Sequence, residues 1–292
     1  MKISRAFNWL SSTNPAAEAK LILLENQMAA YYSSIETREP YNVLIPVQEQ
    51  TDEIDMITKS FLAWFENAGC KKVVEIGCGN GRIWKHLEAK SAINPIEYTG
   101  LEVDENTIAK NRIRWPAQQW YQSSIYAHHL ADNAYDLCCS FYVLEHLVFP
   151  AKALNNMFSL LTPGGKLVLI FPDFSASKRL PSQQLGFGVS RSTKEKIKKG
   201  NLIDAFAFYM DSRKLRKRLK KLDKLAGQFI INASPLCLHY GSQQIWPDID
   251  AVYLANKKEV EGWAKSKNAT IDYPFGTEAP FDEHAFMVIT KS

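Results

Sequence analysis

Apolar and polar residues repeat along this chain with two different periods, and the change between them divides it. Near the start, Asn14-Pro15 reads as an N-cap followed by proline at the first helical position, opening a helix that runs to about residue 32. A second helix is expected from Thr51, with Asp52 and Glu53 in its first turn, where carboxylates complement the helix dipole. It should end near Asn67, just before Gly69. From Lys71 the pattern becomes an alternation of strand and helix. Residues 73–76 are a short apolar run stopped by glycines, 83–87 lie in a helix, and 98–103 form a second strand. Asp104 caps a helix to about 111, Trp120-Tyr121 sit in a third strand, and 137–143 form a fourth. A helix over 151–161, a Pro163-Gly164-Gly165 turn and a wholly apolar fifth strand at 167–171 follow.

Residues 173–250 break the alternation with a stretch containing Ser, Lys and Gly and then a long helical segment at about 202–225. It resumes with a helix near 257–265 and strands at 270–273 and 285–290. This order predicts an α/β fold, a doubly wound and mostly parallel seven-stranded sheet with helices on both faces. Residues 1–68 form an N-terminal helical extension or cover and 69–292 the main domain, with 173–250 a helical lid inserted after strand five.

Composition changes this picture in two places. The 46% hydrophobic content over 292 residues supports a buried core, and no apolar run reaches the roughly 20 residues that span a bilayer. The first ten residues lack a secretory signal pattern, and the five cysteines show no C-x-x-C spacing. Disulfides and zinc are therefore not expected, which points to the cytoplasm. The net charge of +4 is unevenly placed. From Asp173 to Lys224 there are 15 Lys/Arg against 5 Asp/Glu, a balance of +10, which leaves −6 for the remainder. Within that segment Leu215, Leu219, Leu222 and Leu225 lie on one helix face, with cations around the rest. Such a helix lies on an anionic membrane, binds an anionic substrate, or is a solvated helix docked by its leucines.

In an open parallel sheet the ligand site lies beyond the carboxyl ends of the strands, where strand order reverses. The loop after the first strand is Glu75-Ile76-Gly77-Cys78-Gly79-Asn80-Gly81. A dinucleotide fingerprint requires a third glycine at the position held by Arg82. The G-x-G-x-G pattern, with an acid two residues before it, instead resembles motif I of the class I, Rossmann-like S-adenosylmethionine (SAM) methyltransferases. Two further stretches agree: Asp136-Leu137 followed by Val143-Leu144-Glu145-His146, and Leu160-Leu161-Thr162-Pro163-Gly164-Gly165. The resemblance covers about residues 71–171, and within the family it is to the ubiquinone-biosynthesis type of O-methyltransferase.

That resemblance implies SAM as cofactor, held by Glu75, Gly77, Cys78, Gly79, Gly81, Glu102, Val103, Ser124, Ile125 and Phe141. Glu102, at the end of the second strand, would accept from the ribose hydroxyls, and otherwise it is a solvated acid. Ser124 stands where the family often has an acid for the adenine amino group. His146, Glu145 and Asp173 follow strands four and five and are the catalytic candidates. His146 is the favoured base, because its ordinary pKa suits proton removal from a hydroxyl; the alternative is that it packs on the next helix. The family's E-x-x-E-H metal spacing would need an acid at Tyr142, so no metal is expected. Ser140-Phe141-Tyr142-Val143 is not the tetrapeptide of exocyclic-amine methyltransferases, which disfavours nucleobases.

The expected acceptor is a small or medium molecule, with anionic or polyhydroxylated groups as candidates for recognition, methylated on an oxygen of a sugar, glycolipid or secondary metabolite. His239-Tyr240, Trp246, Asp248 and Asp250 offer the rings and acids that polyhydroxylated ligands use, and Tyr31, Tyr32 and Tyr41 are candidates for a flap. The rivals are an RNA-modifying enzyme, suggested by the basic segment, and a SAM-binding protein without turnover.

Overall fold

The computed structural model describes residues 8–33, 55–91, 95–176, 184, 197, 228–235, 237–240 and 250–292. Strand β1 (Trp9–Ser11) leads to Asn14, whose side chain accepts from the Ala16 N–H at 3.0 Å. Pro15 then opens a 3-10 turn, Pro15–Ala17, that runs into α1 (Glu18–Ser33). Helix α2 (Met56–Ala68) corrects the expected start at Thr51. Asp55 is extended, and its carboxylate caps the N–H groups of Ile57 and Thr58, so the helix begins at Met56. It stops at Gly69, which takes a φ of 67°, the left-handed stop that glycine permits.

The alternating region follows as β2 (Lys72–Ile76), α3 (Arg82–Ser91), β3 (Glu97–Glu102), α4 (Glu105–Arg114), β4 (Gln119–Gln122), β5 (Tyr135–Phe141), α5 (Pro150–Ser159) and β6 (Leu161–Pro172). Asp104 caps α4 as expected, accepting from Thr107 N–H. After the interruption come β7 (Ile230–Asn232), a single helical turn α6 (Cys237–Tyr240), α7 (Lys257–Ser266), β8 (Thr270–Asp272) and β9 (His284–Thr290). The expected Pro163-Gly164-Gly165 turn is a bulge inside β6. Pairing jumps from Tyr135 opposite Leu161 to Leu137 opposite Lys166, so residues 162–165 face Asp136 alone.

Seven strands form one sheet in the order β4-β3-β2-β5-β6-β9-β8, with β9 antiparallel to both neighbours and the other adjacent pairs parallel. The direction of strand addition reverses at β2, between β3 and β5. Residues one apart along a strand go to opposite faces. Val74, Ile76, Cys138, Leu169 and Met287 pack with α1, α5 and α7 through Leu21, Leu24, Leu154, Met157 and Trp263. Val73, Tyr98, Cys139, Ile170 and Val288 pack with α2, α3 and α4 through Phe61, Phe65, Trp84, Leu87 and Ile108. Each such buried apolar side chain contributes roughly 1.5–3 kcal/mol.

The N-terminal extension is more than helices. β1 pairs antiparallel with β7, Trp9 opposite Asn232, in a separate two-stranded sheet. Ser12 N–H donates to Phe229 O and Ala233 N–H to Asn8 O, extending the ladder at both ends. The chain before the main sheet is thus joined to the chain that returns from the insertion. The basic helix expected at 202–225, with Tyr41, Trp246 and Asp248, lies outside the described residues. Among those described, no helix is long and apolar enough to cross a membrane.

Candidate active site

The glycine loop grows directly from the β2–β3 ladder. Gly77 N–H and Cys78 N–H both donate to Leu101 O, at 2.8 and 3.1 Å, and Gly81 N–H closes a turn onto Cys78 O. The three glycines have positive φ for different reasons. A Cβ on Gly77 would lie 2.3 Å from Val143 Cγ2, and one on Gly81 would lie 2.5 Å from Trp115. Both positions are small so that the loop can pack on its own protein. A Cβ on Gly79 would meet nothing within 4 Å, so this glycine borders open space at the switch point. Asn111, 3% exposed, donates from Nδ2 to Gly79 O at 2.7 Å and braces the loop from α4. Its position in the second turn of a polar helix gave no sequence signal.

Glu102 spans that space from the end of β3. Its Oε2 accepts from Gly79 N–H at 3.1 Å, and its Oε1 from Val103 N–H at 2.7 Å and Asp104 N–H at 3.3 Å. Burial raises its pKa above the usual carboxylate value, against the pull of those three donors. A carboxylate has about four acceptor sites, so one remains and the longest bond is readily exchanged. Val103 beside it is 41% exposed and offers an apolar surface. Ser124 Oγ accepts from Tyr126 N–H, and Ile125 is buried at 4%. Phe141 is half-buried, its ring edge-on to Phe61 at 4.8 Å between centroids.

Two expected cofactor contacts have other work in this structure. Glu75 is 2% exposed and accepts from the Tyr98 hydroxyl, bracing β2 against β3 beneath the loop. Burial pushes its pKa up to about 8. The Cys78 side chain is also turned inward, 2.8 Å from where a Cβ on Gly100 would stand. Burial pushes its thiol well above the ordinary value, so the side chain fills space and the backbone shapes the loop.

The catalytic candidates separate. After β5, Tyr142 takes a φ of 55° and turns the chain into a 3-10 turn, Leu144–His146. Val143 in that turn is the residue that fills the space over Gly77, so the turn lies against the glycine loop. His146 is 20% exposed, its Nδ1 is 3.4 Å from Asp250 Oδ2, and its Nε2 is 3.8 Å from Glu145 Oε1. Glu145 itself is 3% exposed. Its backbone oxygen accepts from Val252 and Tyr253 N–H at 2.8 and 2.9 Å, so the turn is clamped to the segment after the insertion. Asp173 has a local role: its Oδ1 accepts from Ser175 N–H and Oγ in the turn that leaves β6. Tyr142 is 36% exposed and its ring stands edge-on to His284 at 5.6 Å, an aromatic pair at the same edge of the sheet.

The arrangement makes a specific demand on Glu102. Glu102→Ala is expected to weaken S-adenosylhomocysteine binding by roughly 2–3 kcal/mol, the range for a charged hydrogen bond plus the donors left unpaired. Calorimetry on the folded variant checks it; unchanged affinity would put the ribose elsewhere.

Comparison with known proteins points the same way. The methyltransferase domain family model matches residues 74–169. A probable S-adenosylmethionine-dependent methyltransferase of Mycolicibacterium smegmatis is 32% identical over 114 residues, 38% of this chain and 43% of that protein. A ubiquinone biosynthesis O-methyltransferase of Vibrio vulnificus is 28% identical over 100 residues, 32% of this chain and 41% of that protein. The chain therefore spans less than half the length of these curated relatives. Among solved structures, the plantazolicin methyltransferase BpumL, in complex with a monoazolic desmethylPZN analog and SAH, has the same fold. It aligns over 95% of this chain and 99% of its own, with a TM-score of 0.54 and 11% identity. The glycine loop, the acid at the end of β3 and the strand order belong together: residues 74–169 match the methyltransferase domain family, within a Rossmann-like fold.

Proposed function

We propose that the protein transfers the methyl group of SAM to a hydroxyl oxygen of a small or medium-sized acceptor such as a sugar, glycolipid or secondary metabolite. The observation that carries the reading is the 3-10 turn holding His146, packed through Val143 on the glycine loop. His146 follows three residues after Val143, the residue that packs on Gly77, which supports its imidazole as a base close to the glycine loop. Bound at that loop, SAM supplies a sulfonium methyl: an acceptor oxygen forms the new carbon–oxygen bond as the carbon–sulfur pair departs with S-adenosylhomocysteine.

The chain's own residues do the rest. Gly79 leaves room for the ligand and Glu102 accepts from the ribose hydroxyls. Val103, Ser124 and Ile125 line the adenine side, and Phe141 closes the floor at the end of β5. His146 takes the proton that the acceptor hydroxyl loses. Alignment of oxygen, carbon and sulfur supplies much of the acceleration, since displacement at a methyl group needs orientation more than covalent help. The O-methyltransferase among the relatives supports oxygen as the acceptor atom. The +10 balance between Asp173 and Lys224 supports an anionic group on the acceptor.

The test is release of S-adenosylhomocysteine when the protein and labelled SAM are incubated with cell extract. Turnover that survives nuclease treatment and appears in the small-molecule fraction is the expected result. Loss of turnover on nuclease treatment would assign the acceptor to RNA, and tight SAM binding with no turnover in any fraction would make the protein a binding module.

A further inference from the structure

We infer that Asn111 is a positioning residue for the cofactor: it fixes the backbone of Gly79 before any ligand arrives, and cofactor affinity depends on that preset. Its effect on affinity rests on SAM binding at this loop, whereas the preset belongs to the ligand-free protein. Gly79 lies between two peptide groups, and a different side chain holds each. Its N–H donates to Glu102 Oε2 at 3.1 Å, from the end of β3, and its carbonyl accepts from Asn111 Nδ2 at 2.7 Å, from α4. The Cys78 thiol also points at that carbonyl, at 3.8 Å, as a weak donor. Both torsions at Gly79 are thereby tied down. The residue itself supplies no such restraint: its φ is 48°, and glycine visits positive and negative φ about equally. Without these bonds the ligand would have to order the loop, and that ordering would subtract from its affinity.

Packing alone does not account for an amide at this position. Helix α4 turns two buried residues inward, Ile108 and Asn111, three apart and so on one face. Ile108 is fully buried and joins the apolar cluster on that side of the sheet. Asn111 is almost as deeply buried, and a buried amide is unfavourable unless it is bonded. An apolar side chain of the same size would suit helix-on-sheet packing better, so the bond to Gly79 is what the amide supplies. The helix that carries it is pinned on both sides of it. Asp104 accepts from Thr107 N–H and Oγ1 at the start of α4, and Arg112 donates from Nε and Nη2 to Trp120 O in β4. Asn111 lies between these pins and carries their rigidity to the loop. The other two glycines are confined by contact, Gly77 against Val143 and Gly81 against Trp115. Gly79 borders open space, where hydrogen bonds take over that role.

The experiment uses the full chain and Asn111→Leu, which keeps the size of the side chain and removes its donor. Calorimetry measures S-adenosylhomocysteine affinity, urea titration measures stability, and NMR follows exchange of the Gly79 amide hydrogen with and without that ligand. Affinity is expected to fall about tenfold, the net contribution of one hydrogen bond. The urea midpoint should hold or rise, because a buried amide has been replaced by an apolar group. A residue that served packing alone would move the midpoint and leave the affinity of the folded protein where it was. In wild type the Gly79 N–H should be protected from exchange without ligand; in Asn111→Leu its protection should require S-adenosylhomocysteine. If Asn111→Leu does not fold, Asn111→Ala takes its place in the same three measurements. Unchanged affinity in a folded variant would overturn the inference, and so would a wild-type Gly79 N–H that exchanges freely until ligand binds. Should wild type bind no S-adenosylhomocysteine, the cofactor reading fails, and exchange in the two ligand-free proteins still decides whether Asn111 presets the loop.

Discussion

Gly79→Val is expected to abolish measurable binding of both SAM and S-adenosylhomocysteine while leaving a folded protein. The added Cβ meets no protein atom within 4 Å, so the two methyls of valine project into the space that Glu102 and the loop enclose. The φ of 48° at this position adds a backbone cost of about 1–2 kcal/mol for any L-residue, which stability measurements should register. Gly77→Ala is the contrasting control. Its new methyl runs into Val143 and should damage folding before binding. Calorimetry with S-adenosylhomocysteine and a urea titration on each variant separate the two effects. Unimpaired binding by Gly79→Val would remove the cofactor from this loop.

The second large effect is expected at Glu75, and it is an effect of pH on stability. Burial pushes the pKa of this acid up to about 8 in the folded protein, from an ordinary value of 4.5, because it disfavours the charged form more than the Tyr98 hydroxyl and Arg82 favour it. The folded state therefore binds more protons than the unfolded state between those values. Its contribution is fully present below about pH 4.5 and is lost as pH rises through about 8. A difference of that size corresponds to roughly 4–5 kcal/mol. Glu75→Gln stays neutral, keeps an acceptor for Tyr98, and should match wild type near pH 4.5. By pH 8 it should be the more stable by several kcal/mol. Urea unfolding at a series of pH values checks this; parallel curves for the two proteins would show that Glu75 is charged when buried.

Much of this molecule could be read from its sequence where local chemistry punctuates the chain. The strands of the main sheet were marked by glycines, by Asp104 as a cap and by short apolar runs such as Leu167–Phe171. Glu102 was named from the family resemblance, and the structure shows its carboxylate accepting from the Gly79 N–H. Other features had no local signal. β1 and β7 are three residues each, Trp-Leu-Ser and Ile-Ile-Asn, too short for a period, and each is a strand only because the other exists. The same holds for Asp250, which stood in the sequence among rings and acids that suggested a sugar. One of its partners is a histidine 104 residues earlier, and no spacing rule joins them. Glu75 shows the opposite error. Its motif position implies a ligand contact, and only Tyr98 on the neighbouring strand reveals the carboxyl as a buried brace.

The sheet's order has a consequence for how the protein is made. A ribosome delivers β8 before β9, yet β8 joins the sheet only through β9, and β9 is wedged between β6 and β8. Until residues 284–290 have cleared the exit tunnel, β6 presents an open row of backbone donors and acceptors beside Leu167, Leu169 and Phe171. A nascent chain stalled before that point carries an apolar strand edge ready to pair with another chain. Strand β9 acts as the bolt: its arrival both seats β8 and covers the open edge of β6.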